Sequence, residues 1–254
     1  MPVTPLDGLS FQLYSARTLE PLQAQFDLLA GLGYKQVEPY GGLFNDPLVL
    51  KDQLERHGMS APSAHVGLDR LRADPVAAAR LCRELGVRSI YAPAPPLGER
   101  DGGEAEWSAL GCELDRIGKI VTAEGLTFGW HNHHWEFGKA ADGRRFIDIL
   151  LEQAPDILWQ ADLAWIVRGG ADPVAELKRY SGRIAAVHVK DIAPAGSCAD
   201  EDGWADPGHG VLDWSTLVPL LKEIGVTLFV AEHDKPNDVA RFARRAFATV
   251  ASWQ

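Results

Sequence analysis

The stretch Leu126-Thr127-Phe128-Gly129-Trp130-His131-Asn132-His133-His134-Trp135-Glu136-Phe137 places three histidines and a glutamate immediately after a short apolar run. A short apolar run of this kind predicts a buried β-strand. Imidazole and carboxylate groups are the side chains that bind divalent transition metals in proteins. The stretch therefore predicts a strand whose carboxyl end carries a functional site.

Comparable donor residues follow three later apolar runs: Asp162, His188 and Glu232. They are far apart in sequence, so only a fold that collects many strand ends in one place can make them a single site. A closed barrel of parallel strands does this, because its active site lies at the carboxyl ends of the strands. The 254 residues also match the usual length of such a barrel. We predict an α/β fold, a (β/α)8 TIM barrel, formed by residues 1–254 as one domain.

Short apolar segments alternate with helical patterns along the chain, which indicates parallel strands joined by crossover helices. The predicted strands are 9–14, 36–39, 60–65, 89–92, 126–132, 157–161, 184–189 and 227–231. The predicted helices are 20–32, 47–57, 74–85, 104–124, 146–153 and 238–252, with two more that begin at Asp172 and Asp213. We expect the long connections 93–103 and 191–210 to border the site, the second as a lid or substrate loop.

Charge and composition narrow the class of partner. The chain has 25 Lys and Arg against 35 Asp and Glu, a net charge of -10, whereas duplex-binding proteins usually present a basic face. The 3 cysteines lack the spacing of a disulfide framework or a thiolate zinc site. No signal peptide or membrane-spanning run is visible. We expect a cytoplasmic protein that binds a small molecule and has no nucleic-acid or membrane partner. A homodimer is compatible with a barrel of this size.

Four strand-end residues form the predicted metal site: Glu136, Asp162, His188 and Glu232. Three oxygen donors and one imidazole suit a hard to borderline divalent cation, so we predict one Mn²⁺, with Mg²⁺, Co²⁺ or Zn²⁺ as alternatives. Each residue alone has a structural interpretation as well. A single His188 is compatible with a satisfied core histidine, and a single Asp162 with a helix cap.

Alternation along strands adds candidates on the same faces. His131 and His133 share one face of the fifth strand, so either is a candidate to bind metal or substrate. Lys190 shares a face with His188, where it would stabilise an enediolate or oxyanion; the alternative is a surface lysine paired with Asp191.

Further candidates concern the substrate. Trp165 would stack on a sugar, or else pack in the core. Glu38 and His65, at the ends of the second and third strands, would contact substrate hydroxyl groups unless they are structural polar groups of the barrel rim. His209, between Gly208 and Gly210 in a flexible turn near the mouth, is a further predicted substrate contact.

Several short motifs together resemble the xylose isomerase-like sugar phosphate isomerase/epimerase family. They are residues 130–137, Asp162-Leu163-Ala164-Trp165 with Arg168-Gly169-Gly170, His188-Val189-Lys190-Asp191, Gly208-His209-Gly210 with Asp213-Trp214, and Glu232. The resemblance implies a (β/α)8 barrel with one divalent metal held by a Glu, an Asp, a His and a second Glu from strands five to eight. Asp162, His188 and Glu232 match the last three ligands.

The first glutamate is where this chain departs from the ketose 3-epimerases of that family, because Trp130-His131 stands at its place in strand five. Either Glu136 is the ligand by a different geometry, or His131 replaces it and Glu136 contacts the substrate. We assign the ligand to Glu136. The epimerases also carry a histidine where this chain has Trp165, so their substrate chemistry does not transfer whole.

The resemblance and the donor set together predict a metal-dependent isomerase or epimerase of a sugar or keto sugar. The enzyme would abstract a proton next to a carbonyl and form an enediolate, with Glu136 and Glu232 as acid and base and His131 and Lys190 assisting. One alternative is a lyase or dehydratase that acts on a keto sugar or 3-keto glycoside. A second is a sugar-binding barrel without catalysis. DNA-repair endonucleases share the fold, but the acidic charge disfavours them.

Overall fold

The computed structural model describes residues 4–253, and in it the apolar runs form one sheet of parallel strands. The strand order is β2-β1-β10-β7-β6-β5-β4-β3, with helices between consecutive strands. This confirms the predicted α/β TIM barrel. The barrel strands are β1 (Leu9–Gln12), β2 (Gln36–Glu38), β3 (Ser63–His65), β4 (Ser89–Ala92), β5 (Thr127–His131), β6 (Leu158–Asp162), β7 (Ile184–Val189) and β10 (Leu228–Ala231).

The barrel is nearly closed between β2 and β3, which do not form a regular ladder with each other. Backbone hydrogen bonds span this seam instead, from Val37 N to Ser60 O at 2.9 Å and from His65 N to Pro39 O at 2.9 Å. The buried Glu38 carboxylate also crosses it, because it accepts hydrogen bonds from Gln12 on β1 and from Ser63 on β3. Polar side chains thus help to close the barrel where the ladder is missing.

Helices cover the outside of the barrel and bury their apolar faces against it. Several begin as the sequence indicates, with an aspartate cap followed by proline: Asp74 Oδ1 accepts a hydrogen bond from Ala77 N at 2.9 Å ahead of α4. The α-helices are α1 (Leu22–Leu32), α2 (Pro47–His57), α3 (Leu68–Ala73), α4 (Pro75–Glu84), α5 (Leu97–Arg100), α6 (Glu104–Ala123), α7 (Phe146–Gln153), α8 (Leu163–Arg168), α9 (Pro173–Arg179), α10 (Trp214–Glu223) and α11 (Val239–Ala251).

Short 3₁₀ helices occupy Leu13–Ala16, Gly41–Asn45, Trp135–Phe137 and Ala199–Glu201. The helices α3, α5 and α8 are short; α5 lies in the predicted connection 93–103, and no helix was predicted for the segments that form α3 and α8. No helix within residues 4–253 is both long enough and apolar enough to cross a bilayer.

The long connection after β7 is folded rather than open. It contains a small antiparallel pair, β8 (Asp191–Ile192) and β9 (Trp204–Ala205). The Asp191 carboxylate accepts hydrogen bonds at 3.0 Å from Gly208 N, Leu212 N and Trp214 Nε1. Farther along, buried Asp206 binds two arginines of α11. These contacts tie the predicted lid segment to itself and to α11.

Candidate metal and substrate site

Four buried side chains from successive barrel strands meet at the carboxyl end of the barrel. Each offers one ligand atom, and these atoms lie within 4.8 Å of one another. We call this set the donor group: His131 at the end of β5, Asp162 at the end of β6, His188 on β7 and Glu232 directly after β10. The structure thus brings together three of the predicted metal ligands, with His131 as the fourth member.

Glu136, the other predicted ligand, is buried but turned away from the donor group. Strand β5 ends at His131, and the following 3₁₀ turn folds Glu136 back onto the strand. Its Oε1 accepts a hydrogen bond from Trp130 Nε1 and its Oε2 accepts one from His133 N, both at 3.0 Å. Burial raises the pKa of Glu136 to about 8. Both oxygens are therefore engaged in holding the turn.

Beneath the donor group lies Glu38, which is fully buried and contacts five side chains, one of them His65, whose Nε2 lies 3.2 Å from Oε1 of Glu38. Its Oε1 faces Gln12 Nε2 and His188 Nε2, both at 2.8 Å; its Oε2 accepts from Gln160 Nε2 at 2.7 Å and from the Ser63 hydroxyl. Burial alone raises the pKa of Glu38, but the neighbouring His65 and His188 outweigh it and lower that pKa below its usual value. Glu38, predicted to contact the substrate, thus lies below the site with both oxygens already hydrogen-bonded to protein side chains.

Gln160 orients two histidines. Because its amide nitrogen donates to Glu38, its Oε1 must face the other way, toward His65 Nε2 at 2.6 Å and His131 Nδ1 at 3.1 Å. A carbonyl oxygen only accepts, so both ring nitrogens carry the hydrogen. The Nε2 atom of His131 is then the one with a lone pair for a metal.

Lys190 is fully buried beside the carboxylates of the site. Its Nζ forms ion pairs with Asp234, with Glu232 at 3.3 Å and with Asp162 at 3.6 Å, and it lies 4.2 Å from the ring centre of Trp204. Burial alone lowers the pKa of Lys190, but these three carboxylates outweigh it and raise that pKa. The lysine therefore neutralises the site rather than pairing with Asp191 at the surface.

The donor group fits a divalent cation. The Oδ2 atom of Asp162 is buried and has no hydrogen-bond donor among residues 4–253, its nearest cation being Lys190 Nζ at 3.6 Å. A buried carboxylate oxygen without a donor is costly unless a cation meets it. Burial raises the pKa of Asp162, and a bound cation would oppose that shift. Two imidazoles and two carboxylates are a donor set that divalent transition metals prefer.

A cavity of about 490 Å³ opens above the donor group, and His131 and Glu232 reach it from the floor. The residues that line it are Tyr14, Tyr40, Gly41, Gly42, His65, Gly67, Pro93, Ala94, Arg100, His131, His133, Trp135, Glu232 and Asp234.

Of the predicted substrate contacts, the structure brings His65 and His133 to this cavity. Trp165 packs beside it, with Lys190 Nζ 4.7 Å from its ring centre. Glu38 lies beneath the floor, and His209 is exposed on the loop held by Asp191 and Asp206.

Sequence reasoning missed Gln160, Asp234 and Arg100. Gln160 stands two residues before Asp162 on the same strand face, so alternation along the strand was a usable signal for it. Asp234 stands two residues beyond Glu232, past the end of β10, and Arg100 comes from the loop after β4, where no periodic pattern indicates direction.

Comparison with other proteins shows which family shares this barrel. Residues 26–250 match the family model of the xylose isomerase-like TIM barrel. An inosose dehydratase of Clostridium beijerinckii is 27% identical over 168 residues, 56% of this chain and 54% of that protein. An inosose dehydratase of Klebsiella pneumoniae is 28% identical over 137 residues, 48% of this chain and 45% of that protein. The match thus spans about half the length of these curated relatives.

Solved structures share the fold at low sequence identity. A sugar phosphate isomerase/epimerase from Parabacteroides distasonis superposes with a TM-score of 0.79 at 20% identity, covering 96% of this chain and 94% of that one. A zinc-bound IOLI protein superposes with a TM-score of 0.76 at 16% identity, covering 97% and 99%. The barrel fold and the match over residues 26–250 lead to one conclusion: this chain belongs to the xylose isomerase-like TIM barrel family.

Proposed function

We propose that the chain is a metal-dependent dehydratase of a polyhydroxylated keto compound, a lyase that enolises its substrate and then eliminates water. The observation that carries the proposal is the buried donor group of His131, Asp162, His188 and Glu232 on the floor of a cavity of about 490 Å³. Cavities of this size accommodate small organic substrates.

His131, Asp162, His188 and Glu232 would hold the metal. A divalent cation at this place supplies Lewis-acid polarisation of a substrate carbonyl. The second imidazole makes the donor set richer in nitrogen than the predicted one, which favours Zn²⁺, Co²⁺ or Mn²⁺ over Mg²⁺. The zinc found in the structurally similar IOLI protein is consistent with this choice.

Glu232 is the proposed base. It reaches the cavity, and although burial alone raises its pKa, Lys190 and His188 outweigh burial and keep that pKa well below its usual value. An ionised carboxylate at this position can accept a proton from the carbon next to the carbonyl. The electron pair of the broken C–H bond then forms the enolate double bond.

The departing hydroxyl group needs a proton donor at the cavity. His65 and His133 both line it, and the Nδ1 atom of His133 is buried without a partner among residues 4–253. When a donated proton converts the β-hydroxyl group to water, the C–O bond breaks and the enolate becomes an enone. A carboxylate and two imidazoles at one cavity thus support elimination, as do the relatives known as inosose dehydratases.

Epimerisation is the second candidate, and it needs an acid–base group on each face of the substrate. Glu136, expected to serve as one of the two, has both oxygens bound to Trp130 and His133. Asp234 is a further carboxylate that lines the cavity, which is the observation in favour of this alternative. Lys190 forms an ion pair with Asp234 as it does with Glu232, so this contact does not separate the two carboxylates as bases.

The test follows solvent deuterium. Metal-stripped protein is reloaded with Zn²⁺, Co²⁺ or Mn²⁺ and incubated in D₂O with an inosose, a 3-keto glucoside and a ketohexose. We expect metal-dependent formation of an enone with loss of water from one of them, and no product with Glu232→Gln. Exchange of the hydrogen next to the carbonyl with all hydroxyl groups retained would replace the dehydratase by the epimerase. Saturable binding without exchange under any metal would refute both and favour a binding protein.

A further inference from the structure

Arg100, at the end of α5, presents its guanidinium group to the cavity above the donor group. Its Nε donates to Pro95 O at 3.1 Å, and its Cζ lies 4.3 Å from the ring centre of Trp135. Within residues 4–253 no carboxylate lies within ion-pair distance of this guanidinium. The side chain is thus held in place by a carbonyl and a ring, with its charge left uncompensated.

Two further polar atoms stand beside it. The Nε1 atom of Trp135 and the Nδ1 atom of His133 are buried and have no hydrogen-bond partner in the described part of the chain. The two rings stack with their centres 4.3 Å apart, and both line the cavity with Arg100. We call these three residues the Arg100 wall. Buried polar atoms without partners are uncommon in proteins, and each calls for an explanation such as a bound water, an ion or a catalytic role.

The two carboxylates that line the same cavity both face a buried cation. Glu232 and Asp234 line it from the floor, and both form ion pairs with buried Lys190. Arg100 is thus the arginine that lines the cavity without a carboxylate within ion-pair distance among residues 4–253. A guanidinium fork matches the oxygens of a carboxylate or a phosphate and binds either through paired, charge-assisted hydrogen bonds.

We infer that the substrate is an anionic polyol, whose carboxylate or phosphate ester binds the Arg100 wall while its carbonyl lies over His131 and Glu232. The inference rests on the proposed function, because both use the same cavity. It adds a substrate class that the donor group alone does not indicate. The oxyanion would bind Arg100, and the indole N–H of Trp135 would donate to the same group.

The test compares three sugars of matched size on the metal-loaded protein by calorimetry: D-glucose, D-glucuronate and D-glucose 6-phosphate. We expect at least one anionic sugar to bind at least about tenfold more tightly than glucose, because charge-assisted hydrogen bonds are stronger than those between neutral groups. Whichever of the two binds more tightly identifies the anion. Arg100→Met should abolish the difference, and Arg100→Lys should retain part of it.

Arg116→Met is the matched control, because Arg116 is exposed on α6 outside the cavity, with its nearest carboxylate 4.0 Å away. That variant should bind all three sugars as the unmodified chain does. Equal binding of the three sugars, absence of binding, or an unchanged preference in Arg100→Met would each overturn the inference. The deuterium experiment tests the proposed reaction separately. If exchange is absent while the preference for anionic sugars remains, only the proposed reaction is refuted. If exchange occurs without that preference, only the role of the Arg100 wall is refuted.

Discussion

The Nε2 atom of His188 lies 2.8 Å from Oε1 of Glu38, and the Nδ1 atom of the same ring lies 2.9 Å from Oε2 of Glu232. Glu38 comes from β2 and Glu232 follows β10, so one imidazole joins carboxylates from separate strands. Histidines that bind metals commonly donate their other ring nitrogen to a carboxylate, which fixes the tautomer and the ring orientation. Glu38 is placed to do this for His188, with Nδ1 left for the donor group.

Glu38→Gln should therefore weaken metal binding by about 10- to 100-fold, as is usual when the hydrogen-bond partner of a metal ligand is lost. The substitution replaces an acceptor oxygen by an NH₂ group that faces the donors Gln12, Gln160 or His188. Metal affinity measured by competition with a chelating dye is the readout. Glu223→Gln, on the exposed end of α10, should leave affinity unchanged. Equal affinity in both variants would show that Glu38 does not orient His188.

His131→Ala and Glu136→Gln separate the two candidates for the strand-five ligand. His131 belongs to the donor group, whereas both oxygens of Glu136 are occupied by Trp130 and His133. We expect His131→Ala to lose stoichiometric metal after dialysis and Glu136→Gln to keep about one metal per chain. Elemental analysis of both proteins decides the matter, and the reverse pattern would return the ligand role to Glu136.

Glu136 should also make stability depend on pH. Its pKa is about 8 in the folded chain and near 4.5 when unfolded, so the folded state holds more protons between these values. The free energy of unfolding should therefore fall as pH rises from about 4.5 to about 8, at up to roughly 1.4 kcal/mol per pH unit. Denaturant titrations of metal-free protein across this range provide the measurement. Subtracting the profile of Glu136→Gln isolates this slope, and parallel profiles would contradict it.

Asp191→Ala should release the segment between β7 and α10. The carboxylate accepts from Gly208 N, Leu212 N and Trp214 Nε1, so its removal leaves several donors unsatisfied. We expect a loss of about 3 kcal/mol in stability, from roughly 1–3 kcal/mol for a buried donor left unpaired. Limited proteolysis should cut within residues 193–213 at lower protease concentration. The exposed Asp156→Asn is the control, and identical cleavage of both proteins would be evidence against this role.

The barrel itself was predictable because each strand is a short apolar run followed by a helical repeat. The bounds of β4, β7, α2 and α7 agree with the sequence prediction residue for residue. Short helices escaped it: α8 starts directly after β6, with Asp162 Oδ1 accepting from Trp165 N at 2.8 Å as its cap. Asp162 was considered either as a ligand or as a cap, and in the structure it caps α8 with one oxygen while the other lies in the donor group.

The site was predictable where it depends on strand ends and not where it depends on loops. Asp162, His188 and Glu232 follow from position alone. The direction of Glu136 depends on a hydrogen bond with the ring nitrogen of Trp130, a contact that becomes visible only once the 3₁₀ turn is in place. Arg100 likewise reaches the cavity from the end of α5, where its guanidinium lies against the ring of Trp135.

The seam between β2 and β3 links the donor group to barrel closure. Glu38 joins Gln12 on β1 to Ser63 on β3 and also orients His188, so a change at this carboxylate would disturb barrel closure and the site together. The rim residues Tyr14, Tyr40 and Arg100 line the cavity without contacting both the seam and the donor group. Divergence toward new substrates should therefore proceed by exchange of rim loops such as 93–103, on a floor that tolerates little variation.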